Sequence, residues 1–226
     1  MATRQPETTE ARAALSLLCE AYWQPIHDYV RGLRYGEDDA RDLTQEFFLR
    51  LLDRNLFAVA DRNRGRFRTF LLTSLNHFLK NEWVRSNAAK RGGGQPVVSL
   101  DEQTADGQAL HEPADRVTPE MLYERSWASS LLRQANERLG EEYAAAGKTS
   151  VFNALKPFLE SAPEARGYHA VAAQLGMTPN AVGVVVHRMR QRLRELIRSE
   201  VERTLVDPTA ADVDAEMRFL LETLSR

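Results

Sequence analysis

The chain has 226 residues, 43% of them hydrophobic and 27% charged, with a formal net charge of −2, an ordinary balance for a globular protein of one medium domain or two small ones. No run approaches the roughly 18 consecutive apolar residues of a membrane span, and the apolar run at 13–18 is shorter than the about 7 to 15 residues of a signal-peptide core, so a cytoplasmic protein without membrane insertion is expected. Cys19 is the only cysteine, which excludes an internal disulfide and a cysteine-based zinc site and suits a small buried side chain on a helix.

Ala14, Leu17, Leu18, Ala21, Tyr22, Ile26, Tyr29, Val30 and Leu33 recur at helical spacing and stop near the breakers Gly32 and Gly36. They predict one helix, or two if Pro25 kinks or divides it. A second helix is predicted over 38–53 and a third over about 66–87. Residues 92–118 are polar and glycine-rich at their start, with Pro96 and Pro113 and no sustained period, which reads as a linker. Helical pattern returns over 119–139, 151–159, 168–175 and 179–205, and no segment alternates strictly between apolar and polar. The expected fold class is therefore all-α: two small helical domains, at 13–91 and 119–205, joined by a flexible linker and preceded by a tail at 1–12. Beyond them, 206–226 carries Val213, Met217, Leu220 and Leu224 at the spacing of a short amphipathic extension.

The near-zero net charge hides an internal polarity. Residues 38–53 are acidic apart from Arg41 and Arg50, whereas 62–91 carry eight Lys and Arg against the single Glu82. At 100° per residue, Ala40, Leu43, Phe47 and Leu51 share one face of the second helix while Asp38, Asp42, Glu46 and Asp53 share the other, with Leu49 among the acids. An acidic stripe around an apolar residue is a candidate protein interface. On the third helix Phe67, Leu71, Ser74 and Phe78 form the expected buried stripe, and Thr69, Thr73, Asn76, Lys80 and Trp83 line the opposite side. Hydroxyls, an amide, an ammonium and an indole in a row suit unstacked bases and phosphates, with stacking worth about 1 to 3 kcal/mol per base. Arg62, Arg64, Arg66 and Arg68 stand upstream and Arg85 downstream.

Near the C-terminus, YHAVAAQLGMTPNAVGVVVHRMR at 168–190 reads as a helix-turn-helix. Gly176 suits the left-handed turn after one helix, Thr178 can cap the next, and Pro179 fits its first position. Val171, Leu175, Met177, Val182 and Val185 are expected inward, with small Ala172 permitting close approach. The outward edge would be Thr178, Asn180, Gly183, Val184, His187 and Arg188, with Arg190 and Arg192 following for phosphates.

Taken together, DDARDLTQEFFLRLL at 38–52, GRFRTFLLTSLNHFL at 65–79 and the helix-turn-helix resemble a bacterial RNA polymerase sigma factor of the extracytoplasmic-function type, in the sigma-70 family. The resemblance covers about 15–91 and 168–202. It implies a region 2-like domain that binds polymerase core and the promoter −10 element, and a region 4-like domain that binds the −35 element. Carried over by position, Asp38, Asp39, Asp42, Gln45, Glu46 and Leu49 would contact polymerase, residues 69–85 the −10 strand, and residues 180–192 the −35 duplex. The implied partners are RNA polymerase core and promoter DNA, with an anti-sigma factor or other regulator as a further one; no cofactor and no catalysis are implied. A linker of about 26 residues at roughly 3.3 to 3.6 Å each reaches on the order of 90 Å, enough for two duplex turns of about 34 to 36 Å each. The chain departs from the family at Gly183, Val184 and Val185, where cations are common, so readout there would lean on contact of Val184 with thymine methyl groups.

Two other functions fit parts of the pattern. A helix-turn-helix regulator with an N-terminal sensing or dimerisation domain would bind duplex DNA without engaging polymerase. A metal-dependent nuclease would need Asp38, Asp42 and Glu46 together with His27 or His77, and no spacing in the sequence brings a histidine to that acidic face.

Overall fold

The computed structural model describes residues 9–53, 67–91, 117–160, 167–205 and 208–225. Among them all regular structure is helical: α1 Thr9–Gly32, α2 Glu37–Asp53, α3 Phe67–Arg91, α4 Pro119–Ala145, α5 Thr149–Leu155, α6 Pro157–Glu160, α7 Gly167–Leu175, α8 Pro179–Arg203 and α9 Ala210–Ser225. No described helix is long and apolar enough to cross a membrane. The chain divides into two compact units, Met1–Trp127 and Ala128–Arg226. The expected linker at 92–118 lies almost wholly outside the described residues, and the boundary between the units falls inside α4. The first turns of α4 therefore belong with the first unit, because Tyr123 and Trp127 are almost fully buried there.

In the first unit the core joins Tyr22, Ile26, Tyr29 and Val30 of α1 to Ala40, Phe47 and Leu51 of α2 and Leu71, Leu75 and Phe78 of α3. Ring contacts knit these elements together: Tyr22 meets Phe67 edge-on at 5.5 Å, Phe47 lies 5.6 Å from Phe78, and Tyr29 meets Tyr123 at 6.4 Å. α1 does not divide at Pro25 but runs through it. Tyr22 before the proline and Ile26, Tyr29 and Val30 after it are all buried, so tertiary packing on both flanks outweighs the lost backbone hydrogen bond. The helix ends at Gly32, where a Cβ would stand 3.0 Å from Leu122 Cδ1 and 3.1 Å from the Pro119 backbone. Any larger residue there would require Leu122 or Pro119 to give by a few tenths of an ångström, so glycine suits that close approach of α4.

The second unit packs Leu131, Ala135 and Leu139 of α4, Phe152 and Leu155 of α5, Val171 and Ala172 of α7, and Val182, Val186, Met189, Leu196 and Val201 of α8. The buried Glu200 carboxylate is held between Arg138 and Arg203, which supplies the partners a desolvated charge requires. α9 lies against α8. Its buried face is Val213, Glu216, Leu220 and Thr223, so the expected stripe is turned: Leu224 is exposed and Met217 only half-buried.

Candidate nucleic-acid and partner interfaces

All six residues of the acidic candidate surface, Asp38, Asp39, Asp42, Gln45, Glu46 and Leu49, are exposed, and Leu49 is 49% accessible. The opposite face explains why. Ala40, Thr44, Phe47, Phe48 and Leu51 are buried against α1 and α3, and the Thr44 hydroxyl is satisfied by the Ala40 carbonyl at 2.7 Å. Arg50 then bridges the helices: it pairs with Glu46 at 3.0 Å and with Glu82 of α3 at 2.6 Å, and its guanidinium lies 4.8 Å over the Phe78 ring. Glu82 also pairs with Arg85 at 3.0 Å. The one acid of the basic segment is thus engaged by two arginines, and among the described residues no ion pair involves the exposed Lys80.

Thr69, Thr73, Asn76, Lys80 and Arg85 are exposed and Trp83 is half-buried, so the polar stripe of α3 faces outward. Thr73 donates to the Thr69 carbonyl at 2.9 Å, and the Asn76 side-chain oxygen accepts from the Tyr29 hydroxyl at 2.8 Å. The inward stripe is Phe67, Leu71, Leu75, Phe78 and Leu79; Leu75 takes the place expected of Ser74, which is only half-buried.

Arg68 does not join the outward cations. It is 7% exposed, with its guanidinium 4.9 Å over the Trp127 ring and its carbonyl accepting from the Tyr123 hydroxyl at 3.1 Å. At 100° per residue Arg68 lies in the sector of Leu75 and Leu79, about a quarter turn from Thr69, and α4 covers that sector. Its cation–π contact with Trp127 is a packing feature of the unit. Arg62, Arg64 and Arg66 lie outside the described residues. His77 is exposed on α3, whereas His27 is buried on α1, stacked on Trp23 at 5.3 Å, with Glu37 at 3.5 Å and Asp28 at 3.6 Å as its charged neighbours. Cys19 is only partly buried, and that burial, aided by Glu20, raises the pKa of its thiol.

In the second unit the turn chemistry is that of a helix-turn-helix. Gly176 has φ +64°, Thr178 accepts from the Ala181 amide at 3.2 Å, and Pro179 opens α8. Val171, Ala172 and Val182 are buried as expected, while Leu175 and Met177 are half-buried. Val186, not Val185, completes the inward face, followed by Met189. Thr178, Asn180, Val184, His187 and Arg188 are exposed, and Gly183 is partly covered by the Tyr168 ring, 3.6 Å from where a Cβ would stand.

Beyond Arg188 the arginines diverge. Arg190 turns inward and donates twice to the Phe158 carbonyl, at 3.1 and 2.6 Å, so it closes the end of α6 instead of standing free as a phosphate contact. Arg192 is exposed but chelated: Glu142 of α4 receives two of its N–H groups, at 2.9 and 2.6 Å, and Glu195 a third at 2.7 Å. Hydrogen bonding from Arg192 lowers the Glu142 pKa, and the bonds to Glu142 and then Glu195 raise that of Arg192. Arg198 pairs with Asp214 of α9. The outward surface of α8 therefore keeps Arg188 and Arg194 as exposed cations with exposed Gln191 between them. Gln191, inside the 180–192 span but not singled out from the sequence, lies two turns from Val184 and so on the same face.

Comparison of the chain with protein-family models, with curated proteins and with solved structures returned no match.

Proposed function

We propose that the chain is a sigma factor of the extracytoplasmic-function type, a non-catalytic initiation subunit that binds RNA polymerase core and directs promoter recognition and opening. One observation carries the reading. Two helices packed in one unit and tied by Arg50 to Glu82 carry surfaces of opposite chemistry, an exposed acidic stripe around Leu49 on α2 and an exposed stripe of Thr69, Thr73, Asn76, Lys80 and half-buried Trp83 on α3. The first suits a basic protein surface with an apolar socket. The second suits a separated strand better than duplex, because a duplex offers few base faces on which an indole can stack. The capped α8, with Asn180, Val184, His187 and Arg188 outward, supports contact with a major groove.

The test is retention of the full chain on bacterial RNA polymerase core. Wild type is expected to bind core, and Asp42→Lys combined with Glu46→Lys is expected to abolish that binding while duplex binding persists. Both residues are exposed, so reversal removes complementarity at the cost of only the exposed Glu46–Arg50 pair, while Arg50 keeps its partner Glu82. Duplex binding with no affinity for core would instead describe a helix-turn-helix regulator.

A further inference from the structure

We infer that Tyr29, buried on α1, is a positioning residue that turns the Asn76 amide so that its NH2 group faces the bound strand and selects bases with a keto oxygen, thymine or guanine, over those with an amino group there. The inference rests on the reading of the α3 stripe as a single-strand surface. An asparagine free in solvent presents donor and acceptor alike, and offering both it pairs well with adenine. Asn76 is exposed, but its Oδ1 accepts from the Tyr29 hydroxyl at 2.8 Å. The amide nitrogen is then the group left to the stripe, between Thr73 and Lys80. A lone N–H donor favours a carbonyl: O4 of thymine or O6 of guanine, where adenine and cytosine carry amino groups.

The direction of that hydrogen bond is set by a competition. Glu120, at the start of α4, places Oε1 3.3 Å from the same hydroxyl. A phenol has one proton to give. If it went to Glu120, Asn76 would have to donate to the phenol oxygen and show its carbonyl to the strand. The amide oxygen, not its nitrogen, stands against the hydroxyl, at 2.8 Å compared with 3.3 Å for Glu120, which is the first arrangement. The Tyr29 ring is 3% exposed and braced edge-on against Tyr123, so the phenol oxygen is held at a fixed place beside the amide. Burial raises the phenol pKa, which keeps the proton in place at neutral pH.

The experiment uses RNA polymerase core loaded with the full chain and a panel of single-stranded −10 oligonucleotides carrying each base in turn at each position. Wild type is expected to prefer thymine and guanine at one position. Tyr29→Phe, which keeps the ring, is expected to reduce that preference by about two- to tenfold, the worth of one neutral hydrogen bond, and to leave discrimination elsewhere unchanged. Asn76→Ala should erase the same preference, and adding Tyr29→Phe to it should change nothing more. A Tyr29→Phe profile identical to wild type overturns the inference, as does an equal loss at every position or a wild-type preference for adenine or cytosine at the position that responds to Asn76→Ala. A loaded polymerase that binds none of the strands overturns the single-strand reading itself, and the inference with it.

Discussion

Gly176 and Thr178 set the angle at which α8 is presented, and each does so through a single physical feature. At φ +64° a Cβ on residue 176 would meet nothing within 4 Å, so Gly176→Ala is a pure backbone penalty of about 1 to 2 kcal/mol. Thr178→Ala removes the oxygen that accepts from Ala181 and is expected to cost about 1 kcal/mol. Hydrogen exchange at the amides opening α8 measures both: protection should fall there and stay unchanged in α2 and α3. A third residue-scale effect concerns acid. The folded pKa of Glu142 is lowered, chiefly by its hydrogen bond from Arg192, so its contribution to stability is fully present above the ordinary carboxylate value and is lost as pH falls through the lowered one. Both partners are exposed, and such a pair is worth at most about 1 kcal/mol. Thermal melts should place wild type slightly above Glu142→Gln at neutral pH, with the gap closing as pH drops below the carboxylate range; a gap that widens on acidification would contradict this assignment.

α8 shows at the scale of an element why counting arginines misleads. Five cations follow His187 along this helix as far as Arg198, yet Arg190 serves the Phe158 carbonyl, Arg192 serves Glu142 and Glu195, and Arg198 serves Asp214. Arg188→Ala and Arg194→Ala should therefore each lower the slope of log affinity for duplex DNA against log salt by about 0.9, the release of one counterion per phosphate contact. Arg190→Ala should leave that slope alone and loosen the α6–α8 contact. Equal slope losses for all three would show that Arg190 leaves Phe158 when DNA arrives. Periodicity made the helices legible, and glycine, threonine and proline at 176–179 made the turn legible, because these features depend only on local backbone chemistry. Arg68, Val186 and the buried face of α9 were not legible. Each depends on which neighbour covers a given sector: α4 lies over Arg68 and α8 carries α9, and an amphipathic pattern says which sectors could be buried but not which one a distant element reaches. The same dependence explains the unit boundary, since nothing local at Tyr123 or Trp127 marks the first turns of α4 as part of the first core.

For the whole molecule the account is a division of labour between two compact units. Under the proposed function, one would offer an acidic surface to a protein and a polar, indole-bearing surface to a strand, and the other would offer a capped helix to a groove. Binding energy performs the work in this scheme, with α3 favouring the opened state of the DNA over the closed one. Under that scheme the preference rests on Trp83, since a half-buried ring gains base faces only once strands part, with exposed Lys80 beside it to hold phosphates of the separated strand. The most direct measurement is permanganate reactivity of thymines at a start site mapped with bacterial core polymerase and the full chain. Wild type is predicted to yield both transcripts and reactive thymines, and Lys80→Ala with Trp83→Ala to keep polymerase on the promoter with reactivity greatly reduced. Wild-type protein that binds duplex DNA yet never allows core polymerase to open or transcribe a site would contradict the account.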